Sequence, residues 1–307
     1  MSVRWRGVIP AITTPFDVDL AVDHAFLAQH AQAMVDAGCS AIVAGGSLGE
    51  AAVLSDFEKL DVLRTLVAAV GERVGVVAGV AAAATHQAVT FAQDAAAAGA
   101  AGLMVLPPYV YRGDDREMQA HVSAVIGATD LPCMLYNNPI AYGTDFLPAQ
   151  IAALAEEHGN LVAVKESSTD VRRSTAIRAL TADRLELLVG VDDAIVEGVA
   201  AGARGWIAGL VNAFPLESVA LLELARRGDA RRAHELYRWF LPLLRLDTVP
   251  KFVQLIKRVQ ARVGAGSDRV RPPRLPLTPD EAREVDALVE RALAGRPAVE
   301  AWGVLSS

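Results

Sequence analysis

The chain has 307 residues, of which 52% are hydrophobic and 21% are charged, so it is long enough to bury a large apolar core. Its net charge of −7 argues against a nucleic-acid-binding surface. No run of about 18 residues is free of polar groups, which argues against a membrane span. Cys39 and Cys133 lie in apolar segments, and no signal segment precedes the first strand, so we expect reduced core cysteines in a cytoplasmic protein.

Eight short runs rich in valine, alanine and leucine recur along the chain, with helical patterns between them. The predicted strands cover residues 8–12, 41–44, 74–80, 103–106, 133–136, 161–164, 185–189 and 205–208. Their first residues are 20 to 33 positions apart. This spacing is typical of one strand and one helix in each unit.

Helix start signals fall between the strands. Asp23 is placed to cap the first helix, Ser55 and Glu58 have capping-box spacing, and Thr85 can begin a third helix. Eight such units predict an α/β protein with a (β/α)8 TIM barrel. An open doubly wound sheet is the alternative, but no glycine-rich dinucleotide motif follows the first strand.

The strand pattern stops after Gly209. Residues 215–263 alternate apolar and charged side chains at helical spacing, residues 271–276 form a proline-rich connector, and a last helix begins near Thr278. We therefore predict two parts. The barrel, residues 1–212, carries the active site, and a C-terminal helical region, residues 213–307, packs on it.

Lys165 is the first candidate catalytic residue. It ends the apolar run of residues 161–164, and the carboxyl ends of strands are where α/β barrels carry out chemistry. Burial there would lower its pKa and leave part of the amine unprotonated, as a Schiff-base nucleophile requires. The alternative is a rim lysine whose amine reaches solvent.

Two further segments carry polar groups at strand ends. The glycine-rich residues 45–50 follow the second strand, and their amides with the Ser47 hydroxyl suit a carboxylate ligand, although a plain strand-to-helix turn fits as well. Tyr136 ends the fifth strand, where it is either a proton-transfer group or a core aromatic. The six histidines show no metal-ligand spacing, so we expect no metal.

The order of these motifs is more specific than any one of them. Residues 46–50 (Gly-Ser-Leu-Gly-Glu), 136–139 (Tyr-Asn-Asn-Pro) and 165–168 (Lys-Glu-Ser-Ser) occur at barrel spacing. The chain thereby resembles the dihydrodipicolinate synthase and N-acetylneuraminate lyase family of Schiff-base barrels, over nearly its whole length.

The resemblance implies roles for six residues. Lys165 would form an imine with a 2-oxo acid, and Tyr136 would transfer protons. The substrate-binding residues would be Ser47, Leu48, Gly190 and Ile207. It also implies no metal or organic cofactor and a homo-oligomer, either a tetramer or a dimer.

Three positions depart from the synthase pattern. Ala141 stands where the synthases have an arginine for a second carboxylate, and Leu48 replaces one of two threonines. The tyrosine that a neighbouring subunit contributes in the family aligns near Val110, so we expect Tyr109 or Tyr111 to replace it. These changes argue against lysine biosynthesis.

The pattern instead resembles the catabolic branch of the family. It favours a 1-pyrroline-4-hydroxy-2-carboxylate deaminase, which yields 2,5-dioxopentanoate and ammonia. A 2-keto-3-deoxy sugar-acid dehydratase or aldolase is the closest alternative, and a 4-hydroxy-tetrahydrodipicolinate synthase is another. A hypothesis of a different class is a barrel that binds a 2-oxo acid without turnover.

Overall fold

Eight parallel strands form the centre of the molecule. The computed structural model describes residues 2–303. The strands are β1 (Gly7–Pro10), β2 (Ala41–Ala44), β3 (Gly75–Val80), β4 (Gly102–Val105), β5 (Cys133–Asn137), β6 (Leu161–Glu166), β7 (Glu186–Val189) and β8 (Gly205–Ala208). All eight predicted strands are confirmed, with ends that differ by two residues at most. Because β6 continues to Glu166, Lys165 lies within the strand.

The sheet closes on itself. The order of neighbouring strands is β1-β8-β7-β6-β5-β4-β3-β2, and each pair is parallel. Between β1 and β2 the closure is made by a parallel bridge from Ala11 to Val43, where the Ile12 amide donates to the Val43 carbonyl at 3.1 Å. The predicted (β/α)8 barrel is therefore confirmed.

Helices connect successive strands and bury their apolar sides against the barrel. They are α1 (His24–Asp36), α2 (Asp56–Val70), α3 (Thr85–Ala97), α4 (Asp115–Ile126), α5 (Pro139–Tyr142), α6 (Pro148–Glu157), α7 (Arg172–Thr181) and α8 (Ile195–Ala200). The predicted caps are confirmed for two of them. The Asp23 carboxylate accepts from the Phe26 amide at 2.9 Å, and Ser55 with Glu58 forms a capping box.

The residues after β8 are helical, as predicted. They form α9 (Pro215–Arg227), α10 (Ala230–Leu244), α11 (Phe252–Arg262) and α12 (Pro279–Ala294), and a single 3-10 turn at Arg245–Thr248 joins α10 to α11. Because α9 directly follows β8, it completes the eighth strand–helix unit. The division at residue 212 stays a prediction. Every helix within residues 2–303 is too short or too polar to cross a bilayer.

Candidate active site

A cavity of about 470 Å³ opens at the carboxyl ends of the strands. Parallel barrels place their reactive groups at this end because all strand ends and their following loops meet there. The six residues predicted from the sequence all line this cavity: Ser47, Leu48, Tyr136, Lys165, Gly190 and Ile207.

Lys165 and Tyr136 lie side by side in the cavity. They are paired positions of β6 and β5, so their side chains leave the sheet on the same face. The lysine Nζ lies 3.7 Å from the centroid of the tyrosine ring. No hydrogen bond or ion pair to the amine is found within the described chain. Burial lowers the pKa of Lys165, and nearby Tyr142, Asp247 and Asp192 oppose the shift.

The next residue of each strand points away from the cavity and fixes the strand ends. The Asn137 amide donates to Glu166 Oε2 at 3.1 Å and to Asp145 Oδ1 at 3.2 Å. Arg173 pairs with Asp145, and the Ser168 amide donates to Glu166 at 2.7 Å. This network holds β5 and β6 in register, which keeps the lysine and the tyrosine aligned.

The Tyr136 hydroxyl lies in a group of polar side chains. The Asn138 amide donates to it at 3.0 Å, and the Tyr142 ring meets the Tyr136 ring edge-on, with centroids 5.5 Å apart. Burial raises the pKa of Tyr136, so the phenol holds its proton. A protonated phenol beside the amine can supply a proton to a leaving group.

Ser47 is held by a turn that begins with Gly45, whose φ of +68° favours glycine. Its hydroxyl forms a hydrogen bond with the hydroxyl of Tyr142, from α5. At the other end of the turn, Glu50 is fully buried and pairs with Lys257 of α11 at 2.5 Å. The C-terminal region therefore anchors the loop that carries Ser47.

Tyr142 is a contact that the sequence argument did not single out. Within the described chain it is the tyrosine that bonds to Ser47, whereas Tyr109 stacks on the Tyr142 ring at 5.6 Å. Tyr111 is exposed and donates to Glu117. Burial raises the pKa of Tyr142. Tyr142 lies three residues after the motif of residues 136–139. That proximity is the sequence signal that would have indicated Tyr142.

The remaining predicted residues shape the cavity. A Cβ on Gly190 would lie 2.6 Å from Lys165 Cε, so any other residue there would displace the lysine. Leu48 and Ile207 are buried and give the cavity an apolar wall.

The C-terminal region also lines the cavity, through Asp247 and residues 248–250 and 252. Asp247 was not predicted from the sequence, because the residues around it have the spacing of a helix. Its neighbour Asp192 is fully buried, and the Gly209 and Leu210 amides and the Trp206 ring donate to it. Burial raises the pKa of Asp192 to about 6.

A metal centre has no support in the described part of the chain. Among residues 2–303, no three or more His, Cys, Asp or Glu side chains cluster closely enough to hold a metal ion. Cys39 and Cys133 are free and buried.

Comparison with known proteins gives a consistent result over almost the whole chain. Residues 4–292 match the dihydrodipicolinate synthetase family. A 4-hydroxy-tetrahydrodipicolinate synthase of Natronomonas pharaonis is 35% identical over 94% of this chain and 98% of its own length. The enzyme of that name from Methanothrix thermoacetophila is 34% identical over 93% of this chain and 97% of its own length.

Solved structures agree with the sequence matches. A dihydrodipicolinate synthase from Bacillus anthracis superposes with a TM-score of 0.90 and 27% identity, covering 94% of this chain and 98% of that one. YagE from Escherichia coli, a member of the dihydrodipicolinic acid synthase family in complex with pyruvate, superposes with a TM-score of 0.88 and 26% identity over the same shares. This chain belongs to the dihydrodipicolinate synthetase family.

Proposed function

We propose that the protein is a lysine Schiff-base lyase that acts on a small monocarboxylate, most specifically as a 1-pyrroline-4-hydroxy-2-carboxylate deaminase. The observation that carries the proposal is the charge of the cavity. Lys165 has the only basic side chain among the described residues that line it, and Ala141 lines it at the position where the synthases have arginine. A buried carboxylate without a cation costs several kcal/mol, about 3–5 when its partner is missing. The cavity therefore suits one carboxylate better than two.

The proposed reaction begins at Lys165. Its Nζ bonds to the ring carbon beside the carboxylate, and the bond from that carbon to the ring nitrogen breaks with its electron pair on nitrogen. The protein-bound imine then withdraws electrons, so a proton leaves the adjacent carbon. The hydroxyl group on the next carbon departs as water, with the proton supplied by Tyr136.

Two hydrolyses complete the turnover. Before hydrolysis, one proton from the last carbon and one from its nitrogen move to the two carbons of the new double bond, which converts the terminal amine to an imine. Water converts this terminal imine to an aldehyde and releases ammonia, and a second water frees Lys165. The net reaction consumes one water and gives 2,5-dioxopentanoate and ammonia. In this mechanism Ser47 and the neighbouring amides hold the substrate carboxylate, and the Ser47–Tyr142 bond connects them to the tyrosines.

Synthase activity is the second candidate, because the relatives named above are 4-hydroxy-tetrahydrodipicolinate synthases. A side-by-side assay tests the choice. We expect ammonia release from 1-pyrroline-4-hydroxy-2-carboxylate and little condensation of pyruvate with aspartate semialdehyde. Efficient condensation would overturn the proposal. Water release from a 2-keto-3-deoxy sugar acid, without ammonia from the pyrroline, would identify the dehydratase.

An inert binding barrel predicts a different outcome. Borohydride trapping with pyruvate would then label Lys165, while every one of these substrates stayed unchanged.

The homo-oligomer and the cytoplasmic location stay predictions. Gel filtration tests the first, and Tyr109 and Val110, exposed near the cavity mouth, are the residues we expect a second copy to cover.

A further inference from the structure

One carboxyl group shares the cavity with Lys165. Among the described residues that line it, Asp247 has the only carboxyl group and Lys165 has the only amine. Asp247 comes from the 3-10 turn between α10 and α11, so it faces the strand ends from the C-terminal region. Its Oδ1 lies 2.6 Å from the point where a Cβ on Gly209 would be, so a glycine there leaves room for the carboxyl group.

The carboxyl group of Asp247 has no cationic partner within the described chain. Arg245, in the same turn, is directed toward Asp193, with Nε 3.7 Å from Oδ2. Asp192, its neighbour, accepts hydrogen bonds from the Leu210 amide and the Trp206 ring. Burial and then Asp192 raise the pKa of Asp247 well above its ordinary value, and Lys165 opposes this. A bound cation would remove that cost.

We propose that Asp247 binds the amino group at the far end of the substrate and thereby selects amines over dicarboxylates. The inference rests on the proposed function, which supplies such an amine. When the ring opens, its nitrogen stays on the last carbon, three carbons from the one bonded to Lys165. An ammonium group there pairs with the Asp247 carboxylate, whereas a second carboxylate is repelled.

Three probes of the same site test this role by borohydride trapping, scored as mass added to the peptide containing Lys165. Pyruvate has no far group. The second probe, 5-amino-2-oxopentanoate, is the open form of 1-pyrroline-2-carboxylate and has a far amine. The third, 2-oxoglutarate, has a far carboxylate. In the unaltered protein we expect 5-amino-2-oxopentanoate to give half-maximal labelling at a concentration about tenfold lower than 2-oxoglutarate does.

Asp247→Asn keeps the shape and removes the charge. We expect the preference for the amine over 2-oxoglutarate to fall about tenfold, and pyruvate labelling of the same preparation measures any separate effect on Lys165. Asp193→Asn is the matched control, since Asp193 lies beside the turn but does not line the cavity. This variant should prefer the amine over 2-oxoglutarate as strongly as the unaltered protein does. Ratios within one preparation are independent of the fraction that folds.

The outcomes separate this inference from the proposed function. An unchanged ratio in Asp247→Asn overturns the inference, and labelling that changes by the same factor for all three probes would show that Asp247 acts on Lys165 instead. If the amine preference depends on Asp247 but no ammonia is released from the hydroxylated pyrroline, the inference stands and the deaminase assignment fails.

Discussion

Two buried lysines of this protein have opposite surroundings. Lys165, at the cavity, is 6% exposed, and Lys257, on α11, is 1% exposed. Burial lowers the pKa of both. Lys257 donates to Glu50 at 2.5 Å and to the Arg269 carbonyl at 2.7 Å. Within residues 2–303, Lys165 forms no hydrogen bond or ion pair, and its amine lies over the Tyr136 ring.

This difference separates a structural lysine from a reactive one. An amine that is paired with a carboxylate stays protonated and has no free lone pair. An amine that is buried without such a partner loses its proton more readily and can attack a carbonyl or imine carbon. Burial alone therefore does not identify a nucleophile. Whether the buried amine is paired with a carboxylate determines whether it can react. Four substitutions test the comparison.

The largest effect is expected for Lys165→Ala. Removing a nucleophile typically lowers turnover on the order of a million-fold. Borohydride labelling should disappear, while the thermal unfolding midpoint stays the same or rises because an unpaired buried amine is removed. Lys165→Arg should not rescue activity, since a guanidinium stays protonated. Labelling that persists in Lys165→Ala would place the nucleophile elsewhere.

Tyr136→Phe tests whether the partner of Lys165 is chemical or only a packing surface. The ring stays, so the stability should change little. Loss of the acid–base group should lower turnover about a hundred- to ten-thousand-fold. Steady-state kinetics on the true substrate measure this, with circular dichroism as the control for folding. Turnover near the unaltered value would make Tyr136 a packing residue.

Lys257→Met tests the other side of the comparison. It removes the nearest cation from the buried Glu50, whose other ion-pair partner, Arg274, lies 3.8 Å away, so the free energy of unfolding should fall by up to about 3–5 kcal/mol. Labelling of Lys165 per folded molecule should remain. The double variant Lys257→Met with Glu50→Gln should recover part of the stability in urea unfolding. A single variant as stable as the parent would show that the ion pair contributes little.

The smallest effect is expected for Tyr142→Phe, which removes one hydroxyl from the bond with Ser47. A hydrogen bond contributes about 0.5–1.5 kcal/mol, so turnover should fall up to about tenfold. Ser47→Ala should lower turnover by a similar factor. The loss in the double variant, expressed as a free energy, should be smaller than the sum of the two single losses. Additive losses in this cycle would mean that the two hydroxyls act separately.

Much of the barrel was predictable from local pattern. The eight strands are short apolar runs, and the caps at Asp23 and Ser55 depend on residues within one helical turn. Because a strand end determines where its next residues lie, Ser47, Tyr136 and Lys165 could be assigned to one edge of the barrel before any contact was known.

Contacts between distant segments were not predictable in the same way. Tyr142 meets Ser47 across 95 positions, and Glu50 meets Lys257 across 207. The 3-10 turn that brings Asp247 to the cavity interrupts a run of helices, and no period in the sequence marks it.

The sequence by itself determined the strand–helix repeat, the family motifs and the lysine at the end of β6, because those features depend on neighbours along the chain. Only the tertiary structure decided that Lys165 forms no ion pair within residues 2–303, that Gly190 makes room for its side chain and that Asp247 faces the same cavity. The physical reason is that pairing and burial depend on which distant groups share a small volume. That volume forms only when the barrel closes and the C-terminal helices pack against it.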